Sequence, residues 1–237
     1  MSLRPNARPR VRPRVLVAAS VVAGIVLGAG GAAVAADLVP RPREVVYTIP
    51  PLSNGGVSPD PFLAAGVGMG GNVATYTASG TGPAARNTAA PAGSPERYID
   101  YALLAELYPT FVPTPEQRAA GALPPGVTIT EAQGLNAMAR VQENFAAAGL
   151  QLDALTYMRI YVDNPPGAAS GDYNGWNRAY RKYVANVSRT TGDLIPAYAP
   201  VLYENETRPA RANVEVATLP VAGWLVEIEA EGHYGSR

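Results

Sequence analysis

Residues 208–232 read RPARANVEVATLPVAGWLVEIEAEG, and their pattern decides the architecture. Within 211–220 and again within 224–232, apolar and polar residues alternate, the period of a strand with one buried face. Pro220 to Gly223 separates the two runs, so the spacing predicts two antiparallel strands joined by a short turn, a β-hairpin. Glu227 and Glu229 are two apart on the second run and share a face, while Arg211 opens the first. A cross-strand set of this kind reads in two ways. It is an ion pair on a solvated sheet face, or it is a guanidinium fork that holds a carboxylate beside a glutamate that orients or deprotonates a water.

Working outward, LTYMRIYV (155–162) alternates as a strand, with Met158, Ile160 and Val162 on one face and Tyr157, Arg159 and Tyr161 on the other. Tyr173, Trp176, Tyr180 and Tyr183 are spaced three, four and three, which predicts a helix over 172–184 with an aromatic packing stripe. A longer helix precedes them. Leu135, Met138, Val141, Phe145 and Ala148 follow helical spacing, Gly149 ends it, and Thr130 with Gln133 fits a capping box at its start. Val73 to Ala78 alternates as a strand ending at Ser79-Gly80, and Val45–Ile49 is a short apolar patch in a Pro-rich linker that leads into a first strand. The glycines at 66–72 lack the lysine of a phosphate loop and read as turns and strand ends. The order β-β-α-β-α-β-β predicts an α+β fold, one mixed β-sheet covered on one face by two helices. Apolar residues on the other sheet face predict an oligomer.

Composition narrows the chemistry. The 237 residues include no Cys and one His, which excludes thiolate metal sites and a Cys nucleophile and argues against a Ser-His-Asp triad. Nineteen basic and nineteen acidic residues balance overall, but five arginines lie in residues 1–14 without an acid. The remainder is therefore acidic and has no basic footprint for nucleic acid. The uncharged run 15–36 after this arginine cluster has the tripartite form of a signal peptide, with Ala33-Val34-Ala35 as a cleavage site, and is long enough to anchor in a membrane if retained. The expected organisation is a signal peptide or anchor at 1–36, a Pro-rich linker at 37–60, and a domain at 61–237 with an insertion at 84–127.

The Pro-Ala-Arg, Val-Glu-Val-Ala, Leu-Pro and Val-Glu-Ile-Glu-Ala elements of 208–232 resemble the C-terminal signature of the Rid family, also called RidA/YjgF. GNVATYTASG (71–80) resembles the family's early strand, and the helix-strand-helix stretch between aligns in order. The resemblance covers 62–83 and 131–232. It implies a chorismate-mutase-like fold, a homotrimer with sites in the clefts between subunits, and hydrolysis of 2-imino or enamine acids to 2-oxo acids and ammonia without metal or organic cofactor. It further implies that Arg211 binds the substrate carboxylate, that Glu227 positions the hydrolytic water, that Ser79 lines the cleft, and that Asn177 lies on the family's helix asparagine. Three positions depart from the pattern. Phe62 stands where many members have Tyr, Thr81 replaces a common Gln, and Asn213 stands where a Cys or another small residue is usual. Two other functions fit an exported chain: a non-catalytic binder in which Arg211 captures a carboxylate, and a trimeric interaction module. A mutase acting on a dianion would need a second cation near Arg211, and the sequence pattern shows none.

Overall fold

The computed structural model describes residues 43–50, 52, 56 and 58–235. The run 15–36 lies outside them, and among the described residues no helix is long and apolar enough to cross a membrane. Strands β1 (Val45–Thr48) and β2 (Gly66–Met69) form an antiparallel ribbon. The principal sheet contains β3 (Thr75–Thr81), β4 (Leu155–Val162), β5 (Ala210–Glu215) and β6 (Val226–His233), in the order β3-β6-β4-β5. The sheet is mixed: β6 is antiparallel to both neighbours and β5 is parallel to β4. Among the described residues four α-helices accompany it. The first two, α1 (Tyr101–Leu107) and α2 (Pro115–Ala119), lie in the 84–127 segment, followed by α3 (Ile129–Ala147) and α4 (Tyr173–Arg181).

The main elements follow from their residue patterns. Met158, Ile160 and Val162 are buried on the helix-covered face, as are Val226, Ile228 and Ala230 of β6. Leu135, Met138, Val141 and Phe145 of α3 meet them, and Trp176, Tyr180 and Tyr183 complete the core. Gly134 permits the close approach of α3 and α4, because a Cβ there would sit 2.9 Å from the Ala179 methyl and 3.1 Å from the Trp176 ring. Within the expected linker, the Val45–Ile49 patch supplies β1, and Tyr47 donates its hydroxyl to the Leu155 carbonyl at 2.7 Å.

Three local expectations are corrected. First, the last two strands do not make a hairpin, because β4 lies between them. Alternation fixes which face a strand buries but not which strand lies beside it. The most apolar strand, β4, takes an interior place, and β5, with Val214 exposed, takes the edge. Second, α3 is capped by Thr128, whose hydroxyl accepts from the Glu131 amide at 3.2 Å. Thr130 is fully buried inside the first turn. Gln133 instead bonds the carbonyls of Pro95 and Gly223 and the amide of Leu225, stitching the 84–127 segment and the β5–β6 connection to α3. Third, Gly68 lies inside a strand, since pairing with β1 overrides the poor strand propensity of glycine, whereas Gly66 at the start of β2 and Gly70 and Gly71 after it keep to the expected strand end and turn.

Candidate functional site

Arg211 is placed by its strand. Its Cα partner on β4 is Met158, whose side chain is fully buried beneath the helices, so Arg211 faces the helix-covered side. There Nη2 donates to Oδ1 of Asn177 on α4 at 2.9 Å. The guanidinium carbon lies 4.3 Å from the Phe62 ring centroid and 4.6 Å from that of Tyr180. Phe62 reaches this position because Ala64 bridges to Ala210 in parallel and Tyr180 donates to the Phe62 carbonyl at 3.2 Å. Asn213 follows Arg211 by two on β5 and shares its face. Nη1 of Arg211 and Oδ1 of Asn213 are both buried without a hydrogen-bond partner. Arg211 forms no salt bridge among the described residues. Burial, with the nearby positive charge of Arg181, lowers its pKa to about 10. An arginine half-satisfied by an amide, stacked on two rings and lacking a carboxylate is prepared for an anionic ligand.

Glu227 lies elsewhere. Its partner on β4 is Tyr161, and Glu229 faces Arg159, so both glutamates project from the open face of the sheet. The two residues expected to act together are therefore on opposite faces of one subunit's sheet, with β4 between their strands. The Glu227 carboxylate occupies the space above Gly80, where any Cβ would collide with it. It has no hydrogen bond or ion pair to a described residue. Burial, followed by the negative charge of Glu229, raises its pKa. Ser79 and Gly80 fall in a register irregularity between Ala78 and Thr81 that locally departs from regular pairing with β6. Thr81 closes this bulge by donating to the Ser79 carbonyl at 2.9 Å while accepting from Asn144 at 3.1 Å. Ser79 lines a shallow recess of about 300 Å³ with Thr77, Tyr157, Arg159 and Glu229.

The structure thus collects Arg211, Asn177, Phe62 and Asn213 on one side, and Ser79 and Glu227 on the other. The ion-pair reading of this region is realised by Glu229 with another arginine: Arg159 pairs with it at 3.1 Å on the exposed face, an arrangement that contributes little to stability. Two participants escaped the sequence pattern. Tyr180, read as packing, also supports Arg211. Arg181 lies 4.3 Å from the Phe62 centroid, so a second cation is present beside Arg211. The available signal was its spacing, four residues after Asn177 on one helix face.

The chain matches the family model described as endoribonuclease L-PSP over residues 115–233. No curated protein matches it. Similar solved structures include a member of the YjgF/YER057c/UK114 family from Mycobacterium tuberculosis, 25% identical, covering 46% of this chain and 70% of that one, with a TM-score of 0.31. A protein of unknown function from Pseudomonas aeruginosa is 20% identical, covering 74% and 84%, with a TM-score of 0.37. A YjgF-family protein from Neisseria meningitidis is 14% identical, covering 83% and 100%, with a TM-score of 0.37.

Proposed function

We propose a function from one premise: the chain belongs to the Rid (YjgF) family, whose model it matches over half its length. The proposed reaction is hydrolytic deamination of 2-imino or enamine acids to 2-oxo acids and ammonia. The observation that carries it is Arg211, a guanidinium with one buried, unpartnered nitrogen and no carboxylate partner among the described residues. Its fork takes the substrate carboxylate, and Asn177 fixes its orientation. Phe62 and Tyr180 form apolar walls that strengthen the ionic contact.

A glutamate completes the reaction. Because Glu227 is on the opposite sheet face from Arg211, the partner glutamate comes from a second copy of the chain. The proposed assembly is a homotrimer in which Arg211, Asn177, Phe62 and Asn213 of one subunit face Ser79 and Glu227 of the next. A water adds to the protonated imine carbon, and Glu227 accepts its proton. Glu227 returns the proton to the nitrogen of the resulting carbinolamine, the carbon–nitrogen bond breaks, and the carbon–oxygen double bond forms as the hydroxyl proton passes to the Glu227 carboxylate and on to the departing ammonia, which leaves as ammonium. The raised pKa of Glu227 suits this exchange, since it brings the carboxyl nearer to neutral pH. Positioning supplies most of the catalysis, because a protonated imine is already electrophilic. The acidic balance of the chain after residue 14 favours this small-molecule reading over RNA cleavage.

The arginine cluster and the uncharged run 15–36 support export, with the domain working outside the cytoplasm. The test of function is ammonia release by the purified full-length chain from freshly generated imines. Release well above the spontaneous rate, reduced about tenfold or more by Arg211→Ala, supports the reading. Spontaneous rates with every imine, alongside tight binding of 2-oxo acids, would instead assign a carboxylate binder.

A further inference from the structure

The deaminase reading uses one cation and leaves another without a role. Arg181, the last residue of α4, is only 7% exposed. Its guanidinium carbon lies between two aromatic neighbours, 4.3 Å from the Phe62 centroid and 4.4 Å from that of Tyr198. Nη1 donates to the Ala185 carbonyl, while Nε is buried with no hydrogen-bond partner. Arg181 has no salt bridge among the described residues. The acid in its field is Asp60, which already accepts from Ser188, the Arg189 amide and Arg208. Arg208 is itself buried, and Arg189 lies in the field of Glu206 as well as Asp60, so two carboxylates serve Arg181, Arg189 and Arg208, and Arg211 adds a further positive charge.

This surplus is built into the fold. Lys182 donates to the carbonyls of Tyr198 at 2.9 Å and Pro200 at 2.8 Å, holding the segment that carries the Tyr198 ring. Phe62 is shared, since the guanidinium carbons of Arg181 and Arg211 are each 4.3 Å from its centroid and hence at most twice that distance apart. A short dicarboxylic acid can span two cations so spaced, with one carboxylate on each. Buried charges are ordinarily paired or bound to a ligand, and a dianion would neutralise both at once.

We propose that Arg181 is a specificity-determining residue that gives the site a second anionic pole, so that imines of dicarboxylic amino acids are its preferred substrates. The α-carboxylate binds Arg211 and the distal carboxylate binds Arg181. The inference rests on the deaminase reading for the reaction, but its recognition element can be measured separately.

The experiment uses the full-length chain with imines generated from glutamate, aspartate, alanine and leucine. The expected kcat/KM is at least about tenfold higher for the two dicarboxylates. Arg181→Met should remove that preference, leaving the kcat/KM values for the four imines within about threefold of one another. Tyr198→Leu, which retains the charge but removes half of its stack, should raise KM for glutamate imine with little effect on kcat, and decides the matter if Arg181→Met does not fold. Equal rates for all four imines, or an equal loss on all four in the variants, would overturn the inference and make Arg181 a structural staple. That result leaves the deaminase reading intact. If no imine is hydrolysed, the deaminase reading fails, and calorimetric titration with 2-oxoglutarate and 2-oxobutyrate decides recognition. Tighter binding of 2-oxoglutarate that Arg181→Met abolishes upholds the second pole, and equal affinities reject it.

Discussion

Replacing Arg211 with alanine separates its structural and catalytic roles. On the stability side, truncation loses the stacking on Phe62 and Tyr180, worth about 0.5–2 kcal/mol for each cation–π contact. It also loses the hydrogen bond to Asn177, worth about 1 kcal/mol. Against this, the variant no longer buries a guanidinium without a carboxylate partner, which relieves a penalty of several kcal/mol at most. The opposing effects leave a net change of about 2 kcal/mol or less, a thermal shift of no more than about 8 °C for a domain of this size. On the catalytic side, the lost contact is a charge-assisted fork worth about 1.5–3 kcal/mol. Since about 1.4 kcal/mol is tenfold, kcat/KM for imine hydrolysis should fall about tenfold to a hundredfold. Arg211→Lys should recover little of this, because an ammonium cannot reproduce the planar fork or its ring stacking. Parallel thermal denaturation and ammonia-release assays measure both sides. A variant that unfolds, or one that is folded with undiminished deamination, would refute the reasoning.

Two further predictions concern Glu227. Gly80→Ala puts a methyl group where the Glu227 carboxylate lies, so the flexible side chain should move and imine turnover should fall about as far as in Glu227→Gln, with stability within about 1 kcal/mol of wild type; kinetics and calorimetry on both variants check this. In the proposed reaction Glu227 acts as a base only when ionised, so activity should fall as pH drops through its raised pKa, with the limb above the ordinary carboxylate value. Burial is the larger cause and Glu229 the smaller, so Glu229→Gln should move that acid limb of kcat/KM to lower pH without removing it; a limb that stays in place would dissociate it from Glu227.

How much was legible in the sequence depended on what each pattern encodes. The run 155–162 forms β4 at the expected bounds because its alternation is strong and its buried face is uniformly apolar. The aromatic spacing likewise placed Trp176, Tyr180 and Tyr183 in the core. The neighbour of β5 was not legible, since the same alternation serves a hairpin partner or a parallel strand reached through α4. The cap expected at Thr130 lies two residues earlier, at Thr128, because Thr130 is buried within the first turn of α3. At the site, the family signature singled out Arg211, Asn177, Phe62 and Asn213, which do cluster on one side of the sheet. The stacking of Arg181 and Arg211 around Phe62 was hidden because it joins three segments distant in sequence. The separation of Arg211 from Glu227 was hidden for the related reason that faces depend on register, which motif spacing does not contain.

The central claim is that Arg211 of one subunit works with Glu227 of another, and mixing two inactive variants tests it most directly. Arg211→Ala and Glu227→Ala chains, each with low activity alone, are combined in equal amounts under conditions that exchange subunits, and ammonia release is measured. In a closed ring with random assembly, a shared site is intact when its arginine comes from one variant and its glutamate from the other, so about one quarter of wild-type activity should return. Activity no greater than the average of the two separate variants, in oligomers verified to be mixed, would contradict the shared site.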